Sequence, residues 1–232
     1  MKILISVVDP NEAIDALAGG ADIIDVKDPS KGSLGAPDVL VINSIKKTLP
    51  SDVVVSIALG DNPRDEHVIE LASIAESHAI NYVKAGSLGL KDINDAINAY
   101  RSIKSGVSRV KLVAVAYADY HITRCLSPME VLDAAYKSDF EVFMIDTLVK
   151  NGRSTFDYLD RKRLLEIKEE AHEKGMLFAL AGSLSLNHAD EVSMIRPDIV
   201  GFRGAACNGN RVKGKVSRVN VELLVKTYRH HL

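Results

Sequence analysis

The sequence predicts an α/β fold, a single (β/α)8 TIM barrel spanning residues 1–232. Three observations point to it. Short apolar strand-like segments alternate with helix-like segments from end to end. The strands are apolar on both faces, as in a parallel sheet covered all round by helices. Eight such units fit a chain of 232 residues, close to the roughly 250 of a typical closed barrel. An open doubly wound sheet is the alternative, but no G-x-G-x-x-G follows the first strand.

Each element has its own signal. Residues 2–8 form the first strand, and Asp9-Pro10-Asn11-Glu12 opens a helix that stops at Gly19-Gly20. The second strand, Ile23 to Lys27, runs into the glycine-rich loop Lys31-Gly32-Ser33-Leu34-Gly35 before a helix over 37–48. A strand over 53–58 pairs with a helix over 65–77, and one over 81–84 with a helix over 92–104. The fifth strand, 111–116, leads through Tyr117-Ala118-Asp119-Tyr120 to a capping-box pattern at Ser127-Pro128-Met129-Glu130. The sixth, 142–146, is followed by the loop Lys150-Asn151-Gly152-Arg153 and a charged helix ending at Lys174-Gly175. The seventh, 177–181, runs into Gly182-Ser183, and the eighth, 198–203, into a loop over 204–209, with a last helix over 220–228.

Composition narrows the function. A net charge of −2 gives no field that would gather nucleic acid or anionic lipid. The apolar share of 47% suffices for a full core, and no run of 18 apolar residues exists to span a membrane. The start MKILISVVDP is a strand rather than a signal peptide, so a cytoplasmic protein is expected. Two cysteines, Cys125 and Cys207, agree with a reducing compartment and lack metal-ligand spacing. The expected partner is a small-molecule substrate, with no cofactor, no metal, no nucleic acid and no membrane. Exposed barrel helices commonly pair, so a homo-oligomer is expected.

In this fold reactive residues sit at the C-terminal ends of strands. Lys27, Lys84, Asp146 and Arg203 end the even strands, and strand alternation places Asp25 on the same face as Lys27. Four charged groups are thus expected at one mouth. Either they form an ion-pair network that closes the barrel, or they carry chemistry. Two lysines close together disfavour each other's protonation, and a neutral amine is the nucleophile for a Schiff base. Asp146 can hold a lysine or move protons. Lys150 either reaches back over the mouth or stays solvated. Gly182, Ser183, Arg203 and Gly204 lie in the last two loops, where such barrels often hold phosphate through backbone N–H groups; plain turn chemistry is the other reading. Asp119 lines the mouth or caps a turn, and Ser33 touches phosphate or sits in a flexible turn. Cys207 reads as a small packing residue, having no histidine partner.

The segment Ala18-Gly19-Gly20-Ala21-Asp22-Ile23-Ile24-Asp25-Val26-Lys27-Asp28-Pro29 resembles the first signature of the (5-formylfuran-3-yl)methyl phosphate synthase family of methanofuran biosynthesis. Lys31 to Ala36, Tyr82-Val83-Lys84, Ala116 to Asp119, Asp146-Thr147, Ala179 to Ser183 and Gly204 to Cys207 also match, in the same order. The resemblance implies a barrel lyase that joins two molecules of glyceraldehyde 3-phosphate into a phosphorylated furan aldehyde, with loss of phosphate and water. It implies Lys27 as the Schiff-base lysine, oriented by Asp25, and Lys84 as the general acid/base. Asp146 and Lys150 resemble further active-site residues. Phe202 replaces a small aliphatic residue of the family pattern, and Asn208 to Ser217 is a variable stretch; both touch the phosphate end. Two rivals keep the same residues: another class I aldolase or isomerase acting on a sugar phosphate, and a non-catalytic sugar-phosphate-binding barrel.

Overall fold

The computed structural model describes residues 1–230. Eight parallel strands close into a barrel, each bonded to the next and the last to the first. They are β1 (Lys2–Val7), β2 (Ile23–Val26), β3 (Val54–Gly60), β4 (Tyr82–Ala85), β5 (Lys111–Tyr117), β6 (Val142–Asp146), β7 (Leu177–Leu180) and β8 (Ile199–Phe202). The helices around them are α1 (Pro10–Ala18), α2 (Val39–Thr48), α3 (His67–Ser77), α4 (Ile93–Lys104), the one-turn α5 (Tyr120–Thr123), α6 (Pro128–Tyr136), α7 (Arg161–Glu173), α8 (Ala189–Ile195) and α9 (Arg218–His230). No described helix is long and apolar enough to cross a membrane.

Caps explain most of the helix starts. The Asp9 carboxylate accepts from the Glu12 N–H at 2.9 Å, and Pro10 fills the first helical position, which needs no donor. Asp92 does the same for α4, accepting from the Asp95 N–H at 2.9 Å. The expected capping box forms at α6: Ser127 accepts from the Glu130 N–H, and the Glu130 carboxylate accepts from the Ser127 N–H. α2 starts later than position 37 because Asp38 is its cap. α3 has no side-chain cap and begins at His67, two residues after the expected start. Sequence signals marked no bounds for α8, and none for α5 or the hairpin of β9 (Cys207–Asn208) and β10 (Lys215–Val216).

Apolar residues separate into two concentric sets. Ile3, Ile5, Val7, Ile24, Val26, Val55 and Ile57 point outward against helix faces such as Ala96, Ala99, Tyr100 and Ile103 of α4. Leu4, Ile23, Val113, Val115, Val142, Met144, Ala179 and Ile199 fill the barrel itself. Alternation at a period of two produces this division, because a strand buried on both faces needs apolar residues at consecutive positions.

The floor of the barrel is fixed by a fourfold clamp. The residue just before each even strand accepts from an odd-strand N–H: Asp22 from Ile3 at 2.7 Å, Asn81 from Val55 at 2.8 Å, Glu141 from Leu112 at 2.7 Å and Asp198 from Phe178 at 2.8 Å. Each acceptor's own N–H returns a bond to the carbonyl of the same odd-strand residue. Every even strand therefore enters the barrel from an equivalent origin. Asn81→Ala leaves the buried Val55 N–H without an acceptor. It should lower stability by about 1–3 kcal/mol in urea unfolding, whereas Asn81→Asp, which keeps the acceptor, should change it far less.

Candidate active site at the barrel mouth

Counting inward residues from the clamp gives the depth of each functional group. The first inward residue of the even strands is Ile23, Tyr82, Val142 or Ile199. Two positions on come Asp25, Lys84, Met144 and Gly201, and two further on Lys27, Gly86, Asp146 and Arg203. Lys27, Lys84, Asp146 and Arg203 all line one pocket of about 280 Å³ at the C-terminal mouth. They do not stand at matching strand ends, as the sequence reading had it. Lys84 lies a tier below the other three, and Gly86 occupies the corresponding upper place. A Cβ at Gly86 would run into the Asp61 carbonyl and the Tyr117 hydroxyl.

That difference in depth decides the pairing. Lys84 Nζ donates to Asp25 Oδ2 at 2.6 Å, and Ser6 Oγ donates to the same oxygen at 2.8 Å. Asp25 was expected to orient Lys27; its bonds go to Lys84 and Ser6. Both charged partners are buried, Asp25 at 0% and Lys84 at 3% exposure. Gly201, across the same tier, contributes no side chain, and a Cβ there would already be 3.3 Å from the Ala181 Cβ.

One tier up, Asp146 accepts from Lys150 Nζ at 2.7 Å, and Lys150 also donates to Thr147 Oγ1 at 3.0 Å. Lys150 thus reaches back over the mouth. Burial alone would raise the Asp146 pKa, but the charges of Lys150 and Lys27, with the Lys150 and Thr147 N–H bonds, hold it well below the usual carboxylate range. Lys27 forms no ion pair with a described residue; its Nζ donates to the Ser33 carbonyl at 3.1 Å. Burial, then the like charge of Lys84, brings its pKa down to about 7, against the opposing pull of Asp146 and Asp25. A substantial fraction of Lys27 is therefore neutral at neutral pH.

The remaining expected residues divide. Ser33 is buried and fixed: its hydroxyl donates to the Thr147 carbonyl at 2.9 Å, and its N–H and that of Leu34 donate to Asp61. It supports Lys27 through its carbonyl and does not line the pocket. Asp119 accepts from the Leu148 and Val149 N–H groups, both at 2.8 Å, and so shapes the loop that carries Lys150. Gly182, Ser183 and Gly204 line the mouth. Gly182 has φ of +98°, and a Cβ there would overlap Thr155 Oγ1, so glycine is required. Arg203 lines the pocket, yet its guanidinium is taken up by Glu12 and by the Ser6 carbonyl at 3.0 Å. Cys207 is buried, and burial pushes its thiol pKa up. Among the described residues no group of three His, Cys, Asp or Glu side chains comes together to hold a metal.

Sequence reasoning missed Ser6, Glu12, Asp61, Tyr117 and Arg211. Tyr117 donates to Asp61 at 2.6 Å, so the carboxylate that braces the Ser33 loop is itself braced. The arrangement as a whole brings together a buried amine outside any ion pair among the described residues, two lysine–carboxylate pairs and a rim that carries basic side chains.

Solved structures with this fold include phosphoribosyl anthranilate isomerase from Thermotoga maritima, with a TM-score of 0.69 and 15% identity over 99% of both chains. A 3-hexulose-6-phosphate synthase superposes with a TM-score of 0.63 and 15% identity over all of both chains. At such identities the likeness concerns the fold. The nearer relatives are proteins named (5-formylfuran-3-yl)methyl phosphate synthase. That of Methanocaldococcus jannaschii is 39% identical over 97% of this chain and 98% of its own length. That of Methanothermobacter thermautotrophicus is 37% identical over 94% of each, and that of Archaeoglobus fulgidus 35% over 97% of each. The family model described as 4-HFC-P synthase matches residues 3–225. On this agreement the chain belongs to the 4-HFC-P synthase family.

Proposed function

We propose that this protein condenses two molecules of glyceraldehyde 3-phosphate into (5-formylfuran-3-yl)methyl phosphate, a lyase-type step of methanofuran biosynthesis, through a Schiff base on Lys27. The observation that carries the reading is Lys27 itself: a buried amine at the mouth, in no ion pair with a described carboxylate, with a pKa of about 7. The rest follows from amine chemistry. The neutral Lys27 nitrogen attacks the aldehyde carbon of one triose, water leaves, and the cationic imine acts as an electron sink. Loss of the proton next to the imine gives an enamine, which expels the phosphate of the same triose. The terminal carbon so freed bonds to the ketone carbon of the second triose, which has isomerised to its ketone form. Ring closure and dehydration form the furan, and hydrolysis of the imine releases the aldehyde and returns the Lys27 amine. Two trioses less one phosphoric acid and two waters balance the product.

Roles follow the two ion pairs. Lys84, held by Asp25, is the general acid/base one tier below Lys27, and Asp146, held by Lys150, is its counterpart in the tier of Lys27. The rim groups Gly182, Ser183 and Gly204 hold phosphate through backbone N–H groups.

The deciding experiment is incubation with glyceraldehyde 3-phosphate alone. A furan chromophore together with released phosphate supports the reading, and clean aldol product without phosphate release overturns it. Borohydride reduction during turnover should add covalent mass to the peptide holding Lys27. Its yield should rise with pH around 7, because the protonated amine below that value is not a nucleophile. A profile flat from pH 6 to 8 would remove Lys27 from the role. Lys84→Ala should abolish turnover. It also strands the buried Asp25 charge, so a loss of about 3–5 kcal/mol in unfolding is expected. Adding Asp25→Asn should recover much of that stability and none of the activity.

A further inference from the structure

Among the described residues, five cations line the pocket: Lys27, Lys84, Lys150, Arg203 and Arg211. Carboxylates hold three of them, Asp25 for Lys84, Asp146 for Lys150 and Glu12 for Arg203. Lys27 is the amine that must shed its proton. Arg211 is different. It forms no ion pair with a described carboxylate, and a guanidinium does not give up its charge at physiological pH.

The chain delivers Arg211 to the mouth by a short strap. β9 and β10 pair antiparallel, and residues 209–214 form the tip between them. Gly209, at φ +93°, makes the turn, and a Cβ at Gly214 would overlap the Asn208 carbonyl. The strap is anchored from below by the buried Glu12–Arg203 pair: Arg203 Nε donates to the Arg211 carbonyl at 3.0 Å, and Nη2 to the Gly214 carbonyl at 3.4 Å. Arg211 Nη1 and Nη2 lean on the carbonyls of Pro29 and Gly32 at 3.3 and 3.4 Å, long bonds that leave other donors unused. Its stem lies above Gly204, whose added Cβ would be 3.9 Å from the Arg211 Cβ. The side chain therefore crosses the mouth from the β8 loop to the β2 loop.

We propose that Arg211 clamps the phosphate of the substrate and so selects phosphorylated aldehydes, in place of Arg203, whose guanidinium is committed to Glu12. The substrate identity rests on the function proposed above, but the phosphate contact is tested separately. Inorganic phosphate is titrated into the wild type and Arg211→Gln by calorimetry. The affinity should fall about 10- to 100-fold, the range for loss of charge-assisted hydrogen bonds. KM for glyceraldehyde 3-phosphate should rise by a similar factor with kcat changed much less. Preference for glyceraldehyde 3-phosphate over glyceraldehyde in borohydride labelling should fall likewise, and Arg211→Lys should recover part of each. Unchanged phosphate affinity in Arg211→Gln, no phosphate binding by the wild type, or equal losses for both aldehydes would each overturn the clamp. If no furan forms but phosphate affinity still drops in Arg211→Gln, the reaction assignment falls and the clamp stands.

Discussion

Three lysines share the barrel mouth with two aspartates, and that imbalance governs the site. Asp25 takes Lys84 and Asp146 takes Lys150, each within ion-pair distance. Lys27 is the lysine left over. In a water-poor interior an unpaired ammonium is disfavoured, and this burial, with the like charge of Lys84, lowers the Lys27 pKa to about 7. Had Asp25 paired with Lys27, as residue spacing suggested, attraction would have kept that amine protonated and unreactive. Committing Asp25 to Lys84 engages Oδ2, which Ser6 also bonds, while Oδ1 stays without a hydrogen-bond partner among the described residues and Lys27 is left without an ion pair there.

The imbalance holds only because depth is controlled. The clamp of Asp22, Asn81, Glu141 and Asp198 starts all four even strands at equivalent heights, and alternation then sets the inward residues in tiers. Lys84 falls level with Asp25, while Lys27 and Asp146 come one tier higher. A one-residue slip in β4 would turn Lys84 outward among the helices. The electrostatics of the mouth is thus decided at the opposite end of the barrel.

Much of this was legible in the residues. Alternating apolar strands with capped helices was enough for the barrel, since Asp9 and Ser127 cap where their types and spacing suggest. Strand parity correctly brought Lys27, Lys84, Asp146 and Arg203 to one pocket. Depth was not legible, because it depends on where each strand starts relative to its neighbours; the strand expected over 81–84 ended at Lys84, and Gly86 carries no charge to draw notice. Glu12 and Arg203 meet across 191 positions, a contact no local pattern encodes. The strap was missed for another reason. Its strands are two residues each, too short for any alternation to register, and in its tip Val212 is the one apolar side chain.

Lys27 also sets folding against function. Its folded pKa of about 7 lies far below that of an exposed lysine. Between those values the unfolded chain binds a proton that the folded chain has shed, so folding is opposed, most strongly at and below pH 7, and the penalty fades as pH rises toward the unfolded value. The same burial that lowers the pKa of the amine therefore weakens the fold, and the fold must compensate elsewhere. The compensation is spatially close: the Ser33 carbonyl that receives Lys27 is fixed by Asp61, itself gripped by Tyr117. These neutral and singly charged bonds position the lysine without supplying the carboxylate that would silence it. The Schiff-base role proposed for Lys27 calls for support of this kind, firm in geometry and weak in opposite charge, and the β2 loop gives it.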